Sequence, residues 1–136
     1  MLSTSQLETL SAQMSGRVVT SSDSDWDAAR QVFNLATDLR PAGIALPEDV
    51  RDVVAAVEYT RDNGLRVAPQ ATGHNADAYG ALEDALLVDV RELQEVSIDA
   101  GARRVRVGAG VKWGRIAPEL SERGLAALHG LSLIHI

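Results

Sequence analysis

Cysteine is absent from this chain of 136 residues. Without a thiol, disulfide bonds, thiolate metal sites and cysteine nucleophiles are excluded throughout the sequence. No G-x-S-x-G motif occurs, which argues against a Ser-His-Asp hydrolase with a nucleophile elbow. Basic residues are outnumbered, 13 against 19 acidic residues, and the formal net charge is −6. A nucleic-acid-binding function is therefore not expected, because phosphate contacts need a basic surface.

Long hydrophobic runs are also missing. No segment approaches the length of a membrane span, and the first ten residues lack the basic and apolar regions of a secretory signal. We therefore expect a cytoplasmic location and no membrane partner. The composition, 46 % hydrophobic and 24 % charged, is that of an ordinary globular protein with room for one modest core.

Residues 1–40 are predicted to form a helical segment with two helices. Between them the run "RVV" has the composition of a short strand. The second helix is expected to begin after Ser24, a residue type that favours N-caps. Its core-facing side would then consist of Trp26, Ala29 and Phe33.

Residues 41–91 predict a small parallel layer. "AGIAL" is typical of a buried strand, and the helix that follows has Pro47 near its first turn. Asn63-Gly64 ends the helix, "LRVAP" resumes extended structure, and "LLVDV" adds a third strand. The helix is expected to turn an apolar face to the core, at positions spaced i, i+3, i+4 and i+7: Val50, Val53, Val54 and Val57.

Residues 92–130 change in character. "EVSIDAGARRVRVGA" alternates in polarity around Ala100-Gly101, which predicts an antiparallel hairpin with one solvated face. "KWGRIAPELSERG" predicts an amphipathic helix. The glycines from Gly108 to Gly114 resemble a dinucleotide-binding turn, but the third glycine comes one place late. The arginines of the preceding strand also do not suit a parallel strand that is covered on both faces.

The loop "PQATGHNADAYG", residues 69–80, is the strongest candidate site. It follows a strand of a βαβ unit, and the carboxyl ends of such strands are where open α/β layers bind ligands. Its small residues allow close backbone approach, and successive N–H groups in such a turn suit phosphate oxygens. His74 and Asp77 alone are too few for a metal, so no metal site is expected.

Three stretches are collinear with a known family: "WDAARQVFN", "RPAGIALPEDVRDVVAAVEYTRDNGLRVAPQATGHN" and "LLVDVRELQEVSIDAGARRVRVGAGVKWGRI". From about Gly16 to Gly130 the chain resembles the amino-terminal half of an FAD-binding domain of the PCMH type. Vanillyl-alcohol-oxidase-like and berberine-bridge-enzyme-like flavoproteins have this fold. The resemblance implies an α+β class, with a parallel subdomain at about 41–91 and the start of an antiparallel subdomain at about 92–130.

The resemblance also implies a role for the loop. In the family a loop of the R-G-G-G-H-S type wraps the FAD pyrophosphate, and its histidine often carries the flavin covalently through the 8α methyl carbon. The alternative is that the histidine packs beside the dimethylbenzene edge without a bond. Members of the family commonly have arginine at the position of Gln70. They have glycines at the positions of Ala71 and Thr72. The corresponding residues here are Gln70, Ala71, Thr72, Gly73, His74 and Asn75.

The implied function is that of an FAD-dependent oxidoreductase. A small organic substrate would give hydride to the flavin, dioxygen would reoxidise it, and the catalytic residues would lie outside this chain. Two alternatives stay open: an NAD(P)-dependent dehydrogenase that uses the Gly108–Gly114 turn, and a non-catalytic flavin-binding module. The last six residues, 131–136, do not fit the family, and we expect them to be a non-native tail.

Overall fold

A computed structural model describes residues 4–128. The chain divides into two compact units, Met1–Glu92 and Leu93–Ile136. Among the described residues of the first unit are three helices: α1 at Thr4–Ser11, α2 at Trp26–Ala29 and α3 at Val50–Asp62, with a short 3₁₀ helix at Ala76–Tyr79. Its strands are β1 at Arg17–Val19, β2 at Gly43–Leu46, β3 at Arg66–Gln70 and β4 at Ala85–Asp89. The second unit contains β5 at Val96–Asp99, β6 at Arg104–Val107 and α4 at Trp113–Glu122.

The first unit is built on a four-stranded sheet in the order β1-β2-β4-β3. Strand β4 runs parallel to both of its neighbours, while β1 is antiparallel to β2. The two strands of the predicted βαβ unit therefore run in the same direction, with β4 inserted between them. Every residue of β2 and β4 is buried, as expected for strands that are covered on both faces.

Each face of this sheet carries its own hydrophobic cluster. Alternation along β2 sends Ile44 to one face and Ala45 to the other, because successive side chains of a strand point in opposite directions. The cluster of Ala45 includes residues of α1 and α3. The cluster of Ile44 includes Val32, Leu39, Ala76 and Leu82, which come from the segments around the candidate loop. The loop is therefore anchored in the core of the first unit.

The predicted core face of α3 is wrong. Val50, Val54 and Val57 are exposed to 64 %, 49 % and 45 %. The buried positions of the helix are instead Asp52, Ala56, Tyr59 and Thr60. Asp52 faces inward because its carboxylate accepts hydrogen bonds from backbone donors there. The periodicity of apolar residues alone does not detect such donors.

Asp52 is buried because its carboxylate binds backbone groups from two other segments. It accepts hydrogen bonds from the N–H groups of Ser15 and Gly16 at 2.8 Å and from that of Glu48 at 2.9 Å. Burial by itself raises the pKa of this carboxyl, but the three backbone bonds outweigh it and hold the pKa below its usual value. The carboxylate thus ties the start of α3 to the approach to β1.

The N-terminal segment departs from its prediction at α2. The helix has Asp25 rather than Ser24 at its N-cap position and ends at Ala29. Phe33 is therefore not on a helix face, and its side chain is exposed to 63 %. Strand β1, in contrast, lies at the predicted "RVV" run and adds an antiparallel edge to the sheet.

The second unit confirms the predicted hairpin and helix. Strands β5 and β6 pair antiparallel, and Arg104 and Arg106 lie on the exposed face of β6. Helix α4 includes Pro118, and the turn after it contains Gly124 with φ of 66°. The tail at 131–136 lies outside the described residues. Across residues 4–128, no helix has both the length and the apolar character that crossing a membrane requires.

We expect Asp52→Asn to lower the free energy of unfolding by roughly 2–4 kcal/mol, because buried backbone donors lose a charged acceptor. The pKa of Asp52 is depressed in the folded state, so its stabilisation is present above the usual carboxyl value of 3.8 and lost as the pH falls below it. Urea unfolding followed by circular dichroism, at pH 7 and again near pH 3, measures both effects. The exposed pair-forming Asp62 supplies the control: Asp62→Asn should change stability by less than about 0.5 kcal/mol. Equal losses for the two variants would contradict the role of Asp52.

Candidate functional site

The candidate loop begins where β3 ends, and both of its ends are fastened. The Val90 N–H donates to the Gln70 carbonyl at 2.7 Å, which fixes the end of β3 against β4. The 3₁₀ helix then returns the chain, and the Tyr79 hydroxyl donates to the Pro69 carbonyl. Burial raises the pKa of this phenol, so it remains a donor at neutral pH. The residues between these two contacts form a closed loop on the sheet edge.

Several polar groups of the loop are not used within the described chain. The side-chain amide of Gln70 is buried, and neither its nitrogen nor its oxygen has a hydrogen-bond partner among residues 4–128. The N–H groups of Ala71, Thr72 and Gly73 donate to no described residue, and these three residues are half-buried. Buried polar groups are ordinarily paired, so the unpaired amide of Gln70, next to a run of unused N–H donors, indicates a place for an acceptor-rich ligand.

Gly73 sets the shape of the turn. Its φ is 72°, a backbone region that residues with a side chain rarely adopt. A Cβ placed there would lie 2.8 Å from Cβ of Val32 and 2.9 Å from its Cγ1. Both the backbone conformation and the packing therefore require glycine at this position. The sequence predicts that small residues allow such a close backbone approach in the loop.

His74 is exposed, and its ring contacts Thr72 and Phe33. Its Nδ1 lies 2.6 Å from the Thr72 hydroxyl. The Phe33 ring lies against the imidazole, with 4.6 Å between the ring centroids and 32° between the planes. The imidazole thus stands beside the unused N–H groups and is not buried in the core. Asn75, the last of the predicted site residues, is also exposed.

A second segment, which sequence reasoning did not assign to the site, lies along the loop. Val32 packs under Gly73, Phe33 contacts His74, and the Thr37 hydroxyl donates to the carboxylate of Asp77. We call residues 32–37 the backing segment. These contacts join positions about 40 residues apart, which no local pattern reveals. One feature of the sequence could have pointed to this segment. No helical pattern of apolar residues continues after Phe33, the sole phenylalanine of the chain.

The alternative metal site is not assembled. Asp77 accepts a hydrogen bond from Thr37, and Nδ1 of His74 is paired with Thr72. No group of three His, Cys, Asp or Glu side chains within the described ranges is arranged to hold a metal ion.

The alternative dinucleotide turn fails on its hydrogen bonds. The N–H groups of Gly108 and Gly110 donate to the carbonyls of Glu95 and Leu93, at 2.8 and 3.0 Å. A Cβ on Gly108 would lie 2.2 Å from the Leu93 carbonyl oxygen, so this glycine is needed for packing. The strand before it is half of a two-stranded antiparallel sheet. A dinucleotide-binding turn follows a parallel strand, and this one follows an antiparallel strand with its first two glycine N–H groups already bonded.

Comparison with known families identifies the domain to which this chain belongs. Residues 41–135 match the model of a family described as an FAD binding domain. The chain belongs to this family. The match confirms the predicted FAD-binding fold of the PCMH type and the cofactor FAD. It also extends to residue 135, so the expectation of a non-native tail at 131–136 stays a prediction.

Individual members of the family give the same result. The chain is 34 % identical over 116 residues to (R)-6-hydroxynicotine oxidase of Paenarthrobacter nicotinovorans, covering 85 % of this chain and 25 % of that protein. Glucooligosaccharide oxidase of Sarocladium strictum is 34 % identical over 108 residues, covering 77 % and 21 %. The chain therefore spans about a quarter of the length of these FAD-domain relatives.

Solved structures in the family share the fold. The crystal structure of 6-hydroxy-D-nicotine oxidase from Arthrobacter nicotinovorans aligns with a TM-score of 0.78 and 31 % identity, over 96 % of this chain and 27 % of that one. The wild-type berberine-bridge-enzyme-like protein 1 of Physcomitrella patens aligns with a TM-score of 0.74 and 27 % identity, over 85 % and 26 %.

The loop fits the diphosphate of FAD. Unused N–H groups at Ala71, Thr72 and Gly73 supply neutral donors, as backbone concavities do for phosphate oxygens. The glycine that a side chain would disrupt lies in the middle of the turn.

We expect Gly73→Ala to destabilise the first unit by roughly 2–4 kcal/mol. About 1–2 kcal/mol comes from the left-handed backbone and the rest from overpacking against Val32. Gly64→Ala is the matched control, since Gly64 has φ of 65° with nothing within 4 Å of the added Cβ, and it should lose only the backbone component. Urea unfolding of both variants separates the two effects. If Gly73→Ala costs no more than Gly64→Ala, Val32 does not restrict the loop.

Proposed function

We propose that this chain is the FAD-binding part of an oxidoreductase whose whole polypeptide is about four times as long, and that His74 binds the flavin covalently. The observation that carries the proposal is the placement of an exposed imidazole beside a turn of unused N–H donors. The lengths of two relatives support a longer whole polypeptide, since the chain covers 25 % of one and 21 % of the other.

Different residues of the loop would bind different parts of the cofactor. Ala71, Thr72 and Gly73 would hold the diphosphate through their N–H groups, with the amide of Gln70 beneath the turn. His74 and Asn75, both exposed, would face the part of the cofactor beyond the diphosphate. When bound, FAD supplies the hydride acceptor for oxidation of the substrate, while the protein contributes binding, orientation and electronic tuning.

The covalent link would form between an imidazole nitrogen of His74 and the 8α methyl carbon of the flavin. The C–N bond replaces one C–H and one N–H bond, so two protons and two electrons leave, and dioxygen takes up the electrons. A neutral imidazole is needed because the attacking nitrogen must have a lone pair. Attachment withdraws electron density from the ring system and prevents the cofactor from dissociating.

The proposed reaction is supported by two relatives named as oxidases, one for (R)-6-hydroxynicotine and one for glucooligosaccharides. We infer a small organic substrate, with dioxygen as the electron acceptor. The two names differ in chemistry, so they support the reaction type and not one substrate. The residues that bind and deprotonate the substrate would lie in the rest of the polypeptide.

We expect the 136-residue chain by itself neither to retain FAD nor to oxidise a substrate, because the matched region covers only 25 % of the length of (R)-6-hydroxynicotine oxidase. Purification of the chain after refolding with FAD, followed by absorbance at flavin wavelengths, tests this expectation. Stoichiometric flavin on the isolated chain would show it to be wrong.

In the full-length polypeptide, acid precipitation should leave the yellow colour with the protein. His74→Ala should release that colour to the supernatant, because no imidazole nitrogen remains at the turn. His129→Ala is the control and should keep the flavin attached. A covalent flavin that persists in His74→Ala would refute the link, and a flavin spectrum that no substrate bleaches would favour a non-catalytic flavin-binding module.

A further inference from the structure

We propose that helix α3 docks, in antiparallel orientation, against α3 of a second copy of the polypeptide. The contact would use the outward line of Val50, Val54 and Val57, which we call the valine stripe. The inference concerns an interaction surface, so it goes beyond the proposed function and does not depend on flavin binding. It assigns a partner to the apolar face that the periodicity of α3 predicts for the core.

The outward face of α3 is apolar, while its inward face is partly polar. Val50, Val54 and Val57 are the exposed large hydrophobic residues of this helix. They are four and three residues apart, so they lie on adjacent turns and form one line along the helix. Asp52 and Tyr59 are buried on the opposite side. Single exposed valines are ordinary, but a continuous line of them marks a surface that binds another.

The valine stripe has the spacing of a contact between two helices. Steps of four and three residues repeat every seven, which is the pattern of side chains that pack between paired helices. Half-buried Val53 flanks the stripe on one side. Arg51 and Glu58 flank it on the other side, and both are exposed. An apolar line beside a charged flank is the arrangement that lets two helices choose a partner and an orientation.

The charged flank is complementary to itself. Arg51 and Glu58 are seven residues apart, so they lie on the same side of α3 and about 10 Å apart along its axis. That separation is too long for an ion pair within one helix. In an antiparallel pair with Val54 and Ala55 beside the two-fold axis, Arg51 of each copy lies opposite Glu58 of the other. The contact therefore contains two equivalent ion pairs beside the valines.

Both side chains have capacity for these pairs. Arg51 binds Asp49 through Nε and Nη2, and its Nη1 donates to no described residue. Glu58 is exposed, and no ion pair among residues 4–128 includes it. A parallel arrangement would set arginine against arginine and glutamate against glutamate, so charge selects the antiparallel one. The same patch on both copies forms a closed two-fold dimer.

Sedimentation velocity of the full-length polypeptide over a concentration series tests the proposal. The wild type should be a dimer that dissociates into monomers on dilution. Val54→Lys should raise the dissociation constant by at least about tenfold, because the substitution places a charge at the centre of the contact. Circular dichroism of each variant checks that the fold is kept.

Val67→Lys is the matched control. Val67 is exposed to 40 % on strand β3, outside the valine stripe, and lysine is a common residue on edge strands. The dissociation constant of this variant should stay within about twofold of wild type.

A charge exchange tests the register without changing the valines. Arg51→Glu alone and Glu58→Arg alone each set like charges opposite one another, so each should raise the dissociation constant by about tenfold. The double variant Arg51→Glu/Glu58→Arg again has opposite charges at both places. Its dissociation constant should return to within about threefold of wild type.

Three results would overturn the proposal. A wild type that stays monomeric at every concentration shows that the valine stripe faces solvent or is covered by the rest of its own polypeptide. A dimer that Val54→Lys does not weaken uses another surface. A double variant no tighter than the single variants contradicts the pairing of Arg51 with Glu58. None of these measurements uses flavin, so failure of the dimer and failure of the proposed function are observed separately.

Discussion

The contact between Gly73 and Val32 is the constraint on which the candidate site depends. The absence of a side chain at Gly73 lets the turn lie directly on a residue of the hydrophobic core, with a left-handed φ of 72°. That turn includes three N–H groups with no partner among residues 4–128, and it brings the Thr72 hydroxyl to 2.6 Å from Nδ1 of His74. Packing against Val32 fixes where the turn lies, and a binding site requires accurately placed groups.

Much of the fold follows from local sequence. The apolar runs at β2 and β4 are buried on both faces, and the alternating stretch at 95–109 forms the hairpin with Arg104 and Arg106 exposed. These elements were predictable because strand periodicity and turn residues report directly on burial. The loop after β3 stays a predicted site, since a histidine and small residues after a parallel strand have few structural reasons to be there.

The predictions that are wrong share one physical cause, which is contact between distant parts of the chain. Four valines at helical spacing indicated the core face of α3, yet Asp52 is buried because N–H groups near residues 15, 16 and 48 converge on its carboxylate. Phe33 was placed on a helix that ends at Ala29, and its partner is the ring of His74, 41 positions later in the chain. Local periodicity contains no information about either convergence.

Two glycine-rich turns compete for the same interpretation in the sequence, and hydrogen-bond accounting separates them. At Gly108 and Gly110 the N–H groups bond to Glu95 and Leu93, so the glycines serve to bring two backbones together. At residues 71–73 the N–H groups have no partner within the described part of the chain. Backbone donors bind a diphosphate only where the fold has not already used them.

The most direct test of this account is a crystal structure of the full-length protein with FAD bound. The account predicts diphosphate oxygens within about 3.2 Å of the N–H groups of residues 71–73, the usual limit for such bonds. It also predicts the dimethylbenzene edge of the flavin beside His74. A diphosphate seated at the Gly108–Gly110 turn, or an imidazole of His74 directed away from the flavin, would contradict it.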